Sequence, residues 1–276
     1  MSLTDALEFV ALTDVGKTRN HNEDAVAIRP ELGLAVVADG MGGYNSGEVA
    51  SAMAVEMVVE EVTRTVPEMV PGQTDPDTGL HYETIVLRDA ISRANSQIYR
   101  AANKDTAHRG MGTTVATALF WDNRVSLAHV GDSRIYRLRQ GALTPLTKDH
   151  SVLQEMMGGG TLSEEEAKEA FQSNLVTRAL GIEKRTTMDL VERSALPEDV
   201  FVLCSDGLTN MVDDFTMTKL LTKKARDLED GAKRLIQQAN RNGGTDNISV
   251  ILIRVVKEFS SGSGWQANVM DIFAPR

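Results

Sequence analysis

Apolar residues in this chain follow two patterns, short continuous runs and longer stretches with helical spacing. Runs of small or β-branched residues at 34–38 and 200–204 predict buried strands. Apolar residues three and four positions apart predict helices over 46–65 and 83–104, and a further helix through 228–239. The chain therefore combines strands and helices throughout its length.

Most of the remaining strands follow one another closely with tight turns between them, which favours antiparallel pairing. Residues 112–121, 125–130 and 135–138 are expected to form a meander with a turn at Asn123. Further strands are predicted at 8–13, 188–191 and 248–253. Two groups of strands, each accompanied by helices, favour an α+β fold in which stacked antiparallel sheets are covered by helices.

The simplest organisation is one domain over residues 6–256. Residues 148–176 interrupt the strand pattern with three consecutive glycines and an acidic helix start, so we expect a mobile helical insert there. Residues 257–276 have Ser-Gly spacing and little periodicity, which predicts a flexible tail.

Four of the predicted strands carry an aspartate at one end, namely Asp39, Asp132, Asp206 and Asp246. An Asp-Gly pair after a strand is usually only a tight turn, and this reading is the more common one for any single case. The recurrence changes the interpretation. If the strand ends converge, four carboxylates share a small space, which is unfavourable unless cations lie between them.

Composition and charge exclude several classes of function. The net charge of −10 and the absence of a Lys/Arg cluster argue against nucleic-acid binding. No apolar run is long enough to span a membrane, and the acidic N-terminus does not resemble a signal peptide. The single cysteine, Cys204, suits a reducing compartment, so a cytoplasmic protein is expected.

The loop after the first predicted strand contributes a fixed cation, Arg19, and two further acids, Glu23 and Asp24. Such a group is often a surface ion cluster of little energetic value. Together with the strand-end aspartates, however, Glu23 supplies only oxygen ligands, which favours Mg²⁺ or Mn²⁺ over zinc. Two such ions can activate a water and clamp a phosphoryl group, and the Arg19 fork matches phosphate oxygens.

Two other phosphate chemistries are excluded by spacing. Gly16-Lys17-Thr18 lacks the earlier glycine of a nucleotide-binding loop, because Ala11 occupies that position. Cys204 lacks the arginine six positions later that a cysteine-nucleophile phosphatase needs, because residue 210 is asparagine. We therefore expect Cys204 to be a buried strand residue.

Six short motifs bring these residues together along the chain. They are Arg19-Asn20-His21-Asn22-Glu23-Asp24, Val37-Ala38-Asp39-Gly40-Met41-Gly42-Gly43, Gly112-Thr113-Thr114, Gly131-Asp132-Ser133-Arg134, Cys204-Ser205-Asp206-Gly207-Leu208 and Thr245-Asp246-Asn247. In their order and approximate spacing, the chain resembles the bacterial branch of the PP2C (PPM) family of metal-dependent protein serine/threonine phosphatases. The resemblance covers about residues 9–255.

The resemblance implies an α-β-β-α sandwich with a metal centre at one edge of the two sheets, and it implies a role for each matching residue. Asp39 would bridge two Mn²⁺ or Mg²⁺ ions, and the Gly40 carbonyl would bind the second. Asp206 and Asp246 would complete the first ion, Glu23 would act through water, and Arg19 would hold the substrate phosphate. Asp132 with Asp206 would bind a third, weaker ion, and residues 148–176 would be the family's variable flap.

Two positions depart from family patterns. Many eukaryotic members have histidine after the Asp-Gly pair, a proposed proton donor, whereas this chain has Met41, as bacterial relatives do. Bacterial relatives commonly follow Gly-Met-Gly-Gly with histidine, and this chain has Tyr44. The general acid is therefore open, with a metal-bound water as the first choice and the loop residue His21 as a weaker one.

These observations predict a cytoplasmic, monomeric phosphatase that removes phosphate from serine and threonine in proteins, opposing a bacterial Ser/Thr kinase. Asp39, Asp206 and Arg19 are its expected catalytic residues. Two alternatives stay open at this point. One is an inactive relative that binds phosphoproteins as a scaffold, although a complete set of metal carboxylates argues against it. The other is a hydrolase of small phosphoesters.

Overall fold

The structure is a computed structural model, and it describes residues 2–42, 46–151, 176–223 and 227–259. Tyr44 lies outside the described residues. So do most of the predicted insert, at 152–175, and most of the predicted tail, at 260–276.

Every strand pairing among the described residues is antiparallel. The strands are β1 (Leu7–Asp14), β2 (Asp24–Arg29), β3 (Leu34–Met41), β4 (Gly112–Thr113), β5 (Val115–Trp121), β6 (Arg124–Val130), β7 (Arg134–Arg139), β8 (Ala142–Pro145), β9 (Asp189–Ser194), β10 (Val200–Cys204) and β11 (Ile248–Val255). One sheet has the order β1-β11-β10-β7-β8, and the other has the order β2-β3-β5-β6-β9 with β4 paired to β3.

One short helix, α1 (Leu3–Ala6), packs against the layer between the sheets. The other described α-helices cover the outer faces of the two sheets. They are α2 (Ser46–Thr65), α3 (Tyr82–Lys104), α4 (Asp206–Thr209), α5 (Asp214–Lys223) and α6 (Leu228–Arg241). The two long helices α2 and α3 pack on the β2-β3-β5-β6-β9 sheet, and α4, α5 and α6 pack on the other. The predicted α+β sandwich is confirmed. Within the described ranges, no helix is long and apolar enough to cross a bilayer.

Strand alternation divides the core into layers. In β3, Ala35 and Val37 lie between the two sheets, whereas Leu34 and Val36 face α2 and α3. The same two-residue period in β11 sends alternate residues to the inter-sheet layer and to the layer under α6. Because Asp39 is two residues beyond Val37, its side chain continues the inter-sheet face at the open end of the sandwich.

The predicted meander is wrong at its third strand. Strands β5 and β6 pair as expected, with the turn at Asn123 in a left-handed conformation (φ 58°). Strand β7, however, does not return beside β6 but pairs with β10 and β8 in the other sheet. The chain crosses between the sheets at residues 131–133, so the short loop is a bridge between layers and not a hairpin turn.

Several described elements are absent from the sequence predictions, among them β2, β8, α1, α4 and α5. Strand β8 forms a hairpin with β7 around Gln140 and Gly141, both with positive φ. Helix α5 contains three threonines, which are poor helix formers and hide its pattern. The residues that could have indicated this helix are Asp213 and Met217. The Asp213 carboxylate caps the helix by accepting from the backbone N–H of Thr216 (2.6 Å), and Met217 is buried.

Candidate metal centre

A cleft of about 430 Å³ opens at the end of the sandwich where the predicted aspartates lie. The strands of both sheets contribute to it, so the crossing of the chain between layers helps to build the site. Its lining residues are Arg19, Glu23, Asp39, Gly40, Met41, Gly42, Thr114, Asp132, Val176, Asp206 and Asp246. All seven residues predicted for the site therefore border one cavity.

Asp39 is held by its backbone. Its N–H donates to Thr114 Oγ1 (3.0 Å), and its C=O accepts from Thr114 N (2.9 Å) and Thr113 Oγ1 (2.9 Å). The Asp39-Gly40 pair is not a turn, since β3 continues through it and Gly40 pairs with Thr113. With the backbone fixed in this way, the Asp39 carboxylate is directed by the strand into the cleft.

Gly40 sits where no side chain fits. A Cβ atom there would lie 2.1 Å from the Gly47 carbonyl oxygen, and one on Gly47 would lie 2.7 Å from Glu23 Oε1. The two glycines therefore let the first turn of α2 approach β3 and Glu23 closely. Gly47 donates its backbone N–H to the Glu23 carboxylate. A carboxylate at a helix N-terminus is favoured by the unpaired N–H groups and the helix dipole.

Asp206 begins the short helix α4 directly after β10. Its Oδ2 accepts from Asn210 Nδ2 (3.0 Å), while its buried Oδ1 has no hydrogen-bond partner. Burial, followed by the charge of Asp246, raises the pKa of the Asp206 carboxyl group. An unpaired, buried carboxylate oxygen is costly unless a cation occupies the position facing it.

Asp246 and Arg19 form an ion pair across the mouth of the cleft, with Arg19 Nη2 2.8 Å from Asp246 Oδ2. Half of the Arg19 side chain is exposed, so the guanidinium also faces solvent. The surface ion-cluster interpretation is thus correct in part for Arg19. The contact nevertheless places its fork beside an expected metal ligand.

Asn247 holds the loop that carries Arg19 and Glu23, a role that sequence reasoning missed. Its Oδ1 accepts from Glu23 N (2.8 Å), and its Nδ2 donates to Val15 O and His21 O (both 2.9 Å). Asn247 is 4% exposed. A buried amide with three backbone partners one residue after Asp246 fastens the first loop to the start of β11.

Asp24 also belongs to the site, although the sequence analysis gave it no role in the metal centre. It lies opposite Asp39 in the register of β2 and β3, so both side chains are on the same face. Ser205 Oγ donates to Asp24 Oδ2 (2.8 Å), and Asp24 Oδ1 is buried without a partner. Burial raises the pKa of Asp24 to about 6. The missed signal was its position as the first residue of a strand rather than the last residue of a loop.

Asp132 follows Gly131 in the crossing between the sheets and is 9% exposed. Burial, and then the charges of Asp206 and Asp149, raise its pKa to about 7. The next residue, Ser133, shares a hydrogen bond with Thr114 (Oγ to Oγ1, 2.7 Å). Thr114 therefore connects the strand that carries Asp39 to the turn that carries Asp132.

The electrostatics of the cleft fit bound divalent cations. The pKa of Asp39 is raised well above its ordinary value by burial and by the charges of Asp24, Asp206, Asp132 and Asp246. The donor atoms are carboxylate oxygens with one nearby backbone carbonyl, which is the ligand set of Mg²⁺ or Mn²⁺. Two of the carboxylates, Asp24 and Asp206, keep a buried oxygen without a protein partner.

Three other candidate residues have clear positions. Met41 lines the cleft, whereas His21 lies on an exposed part of the loop and does not line it. Cys204 is fully buried under the α4–α6 layer, and burial raises the pKa of its thiol to about 12. The prediction that Cys204 is a core residue is confirmed.

Comparisons with known proteins agree with this arrangement. A family model described as protein phosphatase 2C matches residues 17–247. The serine/threonine phosphatase stp of Listeria welshimeri is 38% identical over 244 residues, which cover 87% of this chain and 93% of the relative. The PstP phosphatase of Mycobacterium tuberculosis is 37% identical over 256 residues, or 92% of this chain and 46% of the relative.

Solved structures show the same likeness. The catalytic domain of the serine threonine protein phosphatase PstP, in complex with two manganese ions, matches with a TM-score of 0.77 and 35% identity. That match covers 91% of this chain and 99% of the other. Stp1 of Staphylococcus aureus matches with a TM-score of 0.79 and 34% identity over 92% of this chain and 97% of the other.

Proposed function

Since the chain belongs to the protein phosphatase 2C family, we propose that it hydrolyses phosphoserine and phosphothreonine in proteins. The observation that carries the proposal is the single cleft bordered by Asp39, Asp206, Asp246 and Arg19. Two Mn²⁺ or Mg²⁺ ions would supply an activated water and neutralise the charge of the phosphoryl group. A catalytically inactive scaffold would have no reason to retain buried carboxylates that repel one another.

The chain's own residues divide the work of holding ions and substrate. Asp39, the Gly40 carbonyl, Asp206 and Asp246 would hold the two ions, with Asp39 as the shared ligand. Glu23 would act through water. Asp24 lies opposite Asp39 on the neighbouring strand and adds negative charge next to it. Its contact with Ser205 keeps that carboxylate in place.

Arg19 binds the substrate phosphate. In the structure its guanidinium reaches Asp246, which places it at the mouth of the cleft rather than at its base. When Asp246 binds a cation, the Arg19 fork can turn to two phosphate oxygens, a geometry for which guanidinium is well suited. Asn247 contributes indirectly, because it holds the loop from which Arg19 projects.

Asp132, together with Asp206, would hold a third ion more weakly. Asp132 is the one expected ligand that lies on the crossing between the sheets. The pKa of Asp132 is raised mainly by burial and then by Asp206, so the two carboxylates are close enough to repel. A cation between them would relieve that repulsion.

A phosphothreonine peptide and free phosphorylated metabolites, each assayed with Mn²⁺ and with EDTA, test the function. We expect turnover of the peptide that EDTA abolishes and that Mn²⁺ or Mg²⁺ restores. Faster turnover of the metabolites would indicate a hydrolase of small phosphoesters instead. Full activity in EDTA would contradict metal-dependent hydrolysis, and binding of the phosphopeptide without turnover would indicate a scaffold.

The remaining expectations concern the protein's setting. We propose that a Ser/Thr kinase supplies its substrates, that it acts as a monomer, and that it works in the cytoplasm. The buried, single cysteine supports a reducing compartment. We also propose that residues 6–256 are one catalytic domain, with the variable flap at 148–176 and a separate tail at 257–276.

A further inference from the structure

Two buried histidines enclose the backbone of Gly131, the residue before Asp132. His129 Nε2 lies 2.8 Å from the Gly131 carbonyl oxygen, and the Gly131 N–H donates to His150 Nδ1 at 3.1 Å. The backbone N–H of His150 donates to the same carbonyl (2.8 Å). His129 and His150 are 1% and 4% exposed. Nothing in the reaction described above uses either imidazole.

These contacts determine which ring nitrogen carries the proton in each histidine. His129 must donate from Nε2, because the Gly131 carbonyl can only accept. The Nδ1 atom of His129 then carries no proton and has a free lone pair. His150 must accept at Nδ1, because the Gly131 N–H can only donate, so its Nε2 carries the proton. Burial lowers the pKa of His129 to about 4, which agrees with a neutral ring.

His129, His150 and Asp189 also place ligand-type atoms within 4.8 Å of one another. The tautomers argue against a metal ion there. A metal on His150 Nε2 would displace the proton to Nδ1, where it would face the Gly131 N–H and leave two donors opposed. The protonated Nε2 instead lies 3.4 Å from Asp189 Oδ2. We therefore assign the group to Gly131 rather than to a cation.

Gly131 itself needs this support because its backbone conformation is unusual. Its φ of 108° is one that residues with side chains rarely adopt, and a Cβ atom would lie 2.6 Å from Thr114 Cγ2. Glycine solves the steric problem but leaves the backbone free to change conformation. The two imidazoles remove that freedom by binding one polar group of Gly131 each. His150 Nδ1 accepts from the Gly131 N–H, and His129 Nε2 donates to the Gly131 carbonyl, which belongs to the peptide that leads into Asp132.

We propose that His129 and His150 are positioning residues, which orient the Gly131–Asp132 peptide so that the Asp132 carboxylate meets its cation. The inference rests on the proposed role of Asp132 in holding the third ion. Ligand-orienting hydrogen bonds of this kind change metal affinity by about tenfold to a hundredfold when they are removed. The histidines touch neither substrate nor ion and act through Gly131.

The opposite polarity of the two contacts provides matched variants. At position 150, asparagine keeps an acceptor near the place of Nδ1, whereas glutamine has none there. At position 129, glutamine keeps a donor near the place of Nε2, whereas asparagine has none. If the histidines only fill space, the larger glutamine should be better tolerated at both positions. If they hold Gly131, His150→Asn and His129→Gln should be the tolerated changes.

The primary readout is Mn²⁺ binding to the weak site, measured by calorimetry after the two tighter sites are filled. We expect His150→Gln and His129→Asn to weaken this binding by about tenfold or more, with His150→Asn and His129→Gln closer to wild type. Turnover at limiting Mn²⁺ should follow the same order. In metal-free protein, hydrogen exchange of the Gly131 amide should accelerate in His150→Gln and remain slow in His150→Asn.

The background of Asp132→Ala separates positioning from general destabilisation. There, His150→Gln should cause no further loss of turnover, because its route of action is already removed. An equal loss in both backgrounds, or the same order of tolerance at both positions, would overturn the inference. If His150→Gln does not fold, the His129 pair decides. A wild-type enzyme without a weak Mn²⁺ site would contradict the third ion, and one without Mn²⁺-dependent turnover would contradict the proposed function.

Discussion

The buried acid Asp199 and the partly buried acids of the cleft have opposite surroundings. Asp199, 1% exposed, is held by a two-pronged contact from Arg139 (2.7 and 2.6 Å) and by the backbone N–H of Leu196 (2.9 Å). In the cleft, Asp24 and Asp206 each keep a buried oxygen with no partner. The pKa of Asp39 between them is raised by burial and by neighbouring acids.

The difference shows what each group is for. Asp199 has the fork and hydrogen bonds that make a buried charge tolerable, and its role is complete within the protein. The acids of the cleft repel one another and remain incompletely paired, so bound cations would stabilise their arrangement. The Arg19 guanidinium supplies part of the positive charge through its ion pair with Asp246 at the mouth of the cleft. We attribute the remainder to divalent cations.

Asp39→Asn and Asp199→Asn sharpen this comparison most strongly. In Asp39→Asn, we expect turnover to fall at least about a hundredfold, because the charge shared by two ions is lost. The metal-free variant should unfold at the wild-type temperature or above, since one repelling carboxylate is gone. In Asp199→Asn, stability should fall by about 3 kcal/mol, because the Arg139 charge loses its partner, while turnover per folded molecule should not change.

Steady-state kinetics and thermal unfolding in EDTA distinguish the two variants. If Asp39→Asn kept near wild-type turnover, the assignment of the bridge would be wrong. If it strongly destabilised the metal-free protein, Asp39 would be a structural acid like Asp199.

Arg19→Ala tests whether the Arg19 guanidinium binds the substrate phosphate. The account of Arg19 as a phosphate ligand leads us to expect a loss of about 2 kcal/mol, or roughly thirtyfold in kcat/KM, with little change in Mn²⁺ affinity. Arg19→Lys serves as the control, because it keeps the charge and loses the fork. Unchanged kcat/KM on a phosphopeptide would leave Arg19 with only its ion pair to Asp246.

Asp132→Ala tests whether Asp132, which lies on the crossing between the sheets, binds a cation as the cleft acids do or has a structural role as Asp199 does. We expect a wild-type melting temperature, two Mn²⁺ ions still bound, and a loss of at least about tenfold in turnover. The reason is that Asp39, Asp206 and Asp246 remain to hold the core pair. A large drop in melting temperature with normal turnover per folded molecule would make Asp132 a turn residue.

The pH dependence of the metal-free protein gives the smallest effect. The raised pKa values of Asp132, about 7, and Asp24, about 6, mean that the folded state holds protons that the unfolded state releases near pH 4. These groups therefore stabilise the fold at low pH, and that contribution is lost as pH rises through 6 to 7. In EDTA, we expect the melting temperature to fall by a few degrees from about pH 5.5 to pH 8.

Saturating Mn²⁺ should remove most of that slope, and Asp132→Asn should reduce it. A melting temperature that rises over the same interval in EDTA would contradict the raised pKa values.

Much of the site follows from sequence because its residues share a simple rule. Asp39, Asp132, Asp206 and Asp246 all lie within two residues of a strand end, and strand ends can be recognised from apolar runs. The resemblance of the motifs then supplied roles that spacing alone could not. Ser46–Thr65 was also predictable to the residue, because its apolar stripe is long and regular.

The parts that were missed depend on contacts between distant segments. Asn247 holds residues more than 220 positions away, and His150 holds Gly131 across the crossing between the sheets. No local pattern distinguishes such a polar residue from one in a solvated loop. The meander prediction was wrong for a related reason, since a three-residue connection can lead to either sheet, and only tertiary packing decides which.

The most direct test of the central claim is a calorimetric titration of Mn²⁺ into protein stripped of metal, with Asp39→Asn as the control. We expect the wild type to bind two ions tightly and to gain melting temperature as they bind, because binding to the folded state alone stabilises it. Asp39→Asn should lose this tight pair. Wild-type protein that binds no Mn²⁺ yet hydrolyses phosphopeptide would contradict the account, because the acids of the cleft would then serve some purpose other than holding cations.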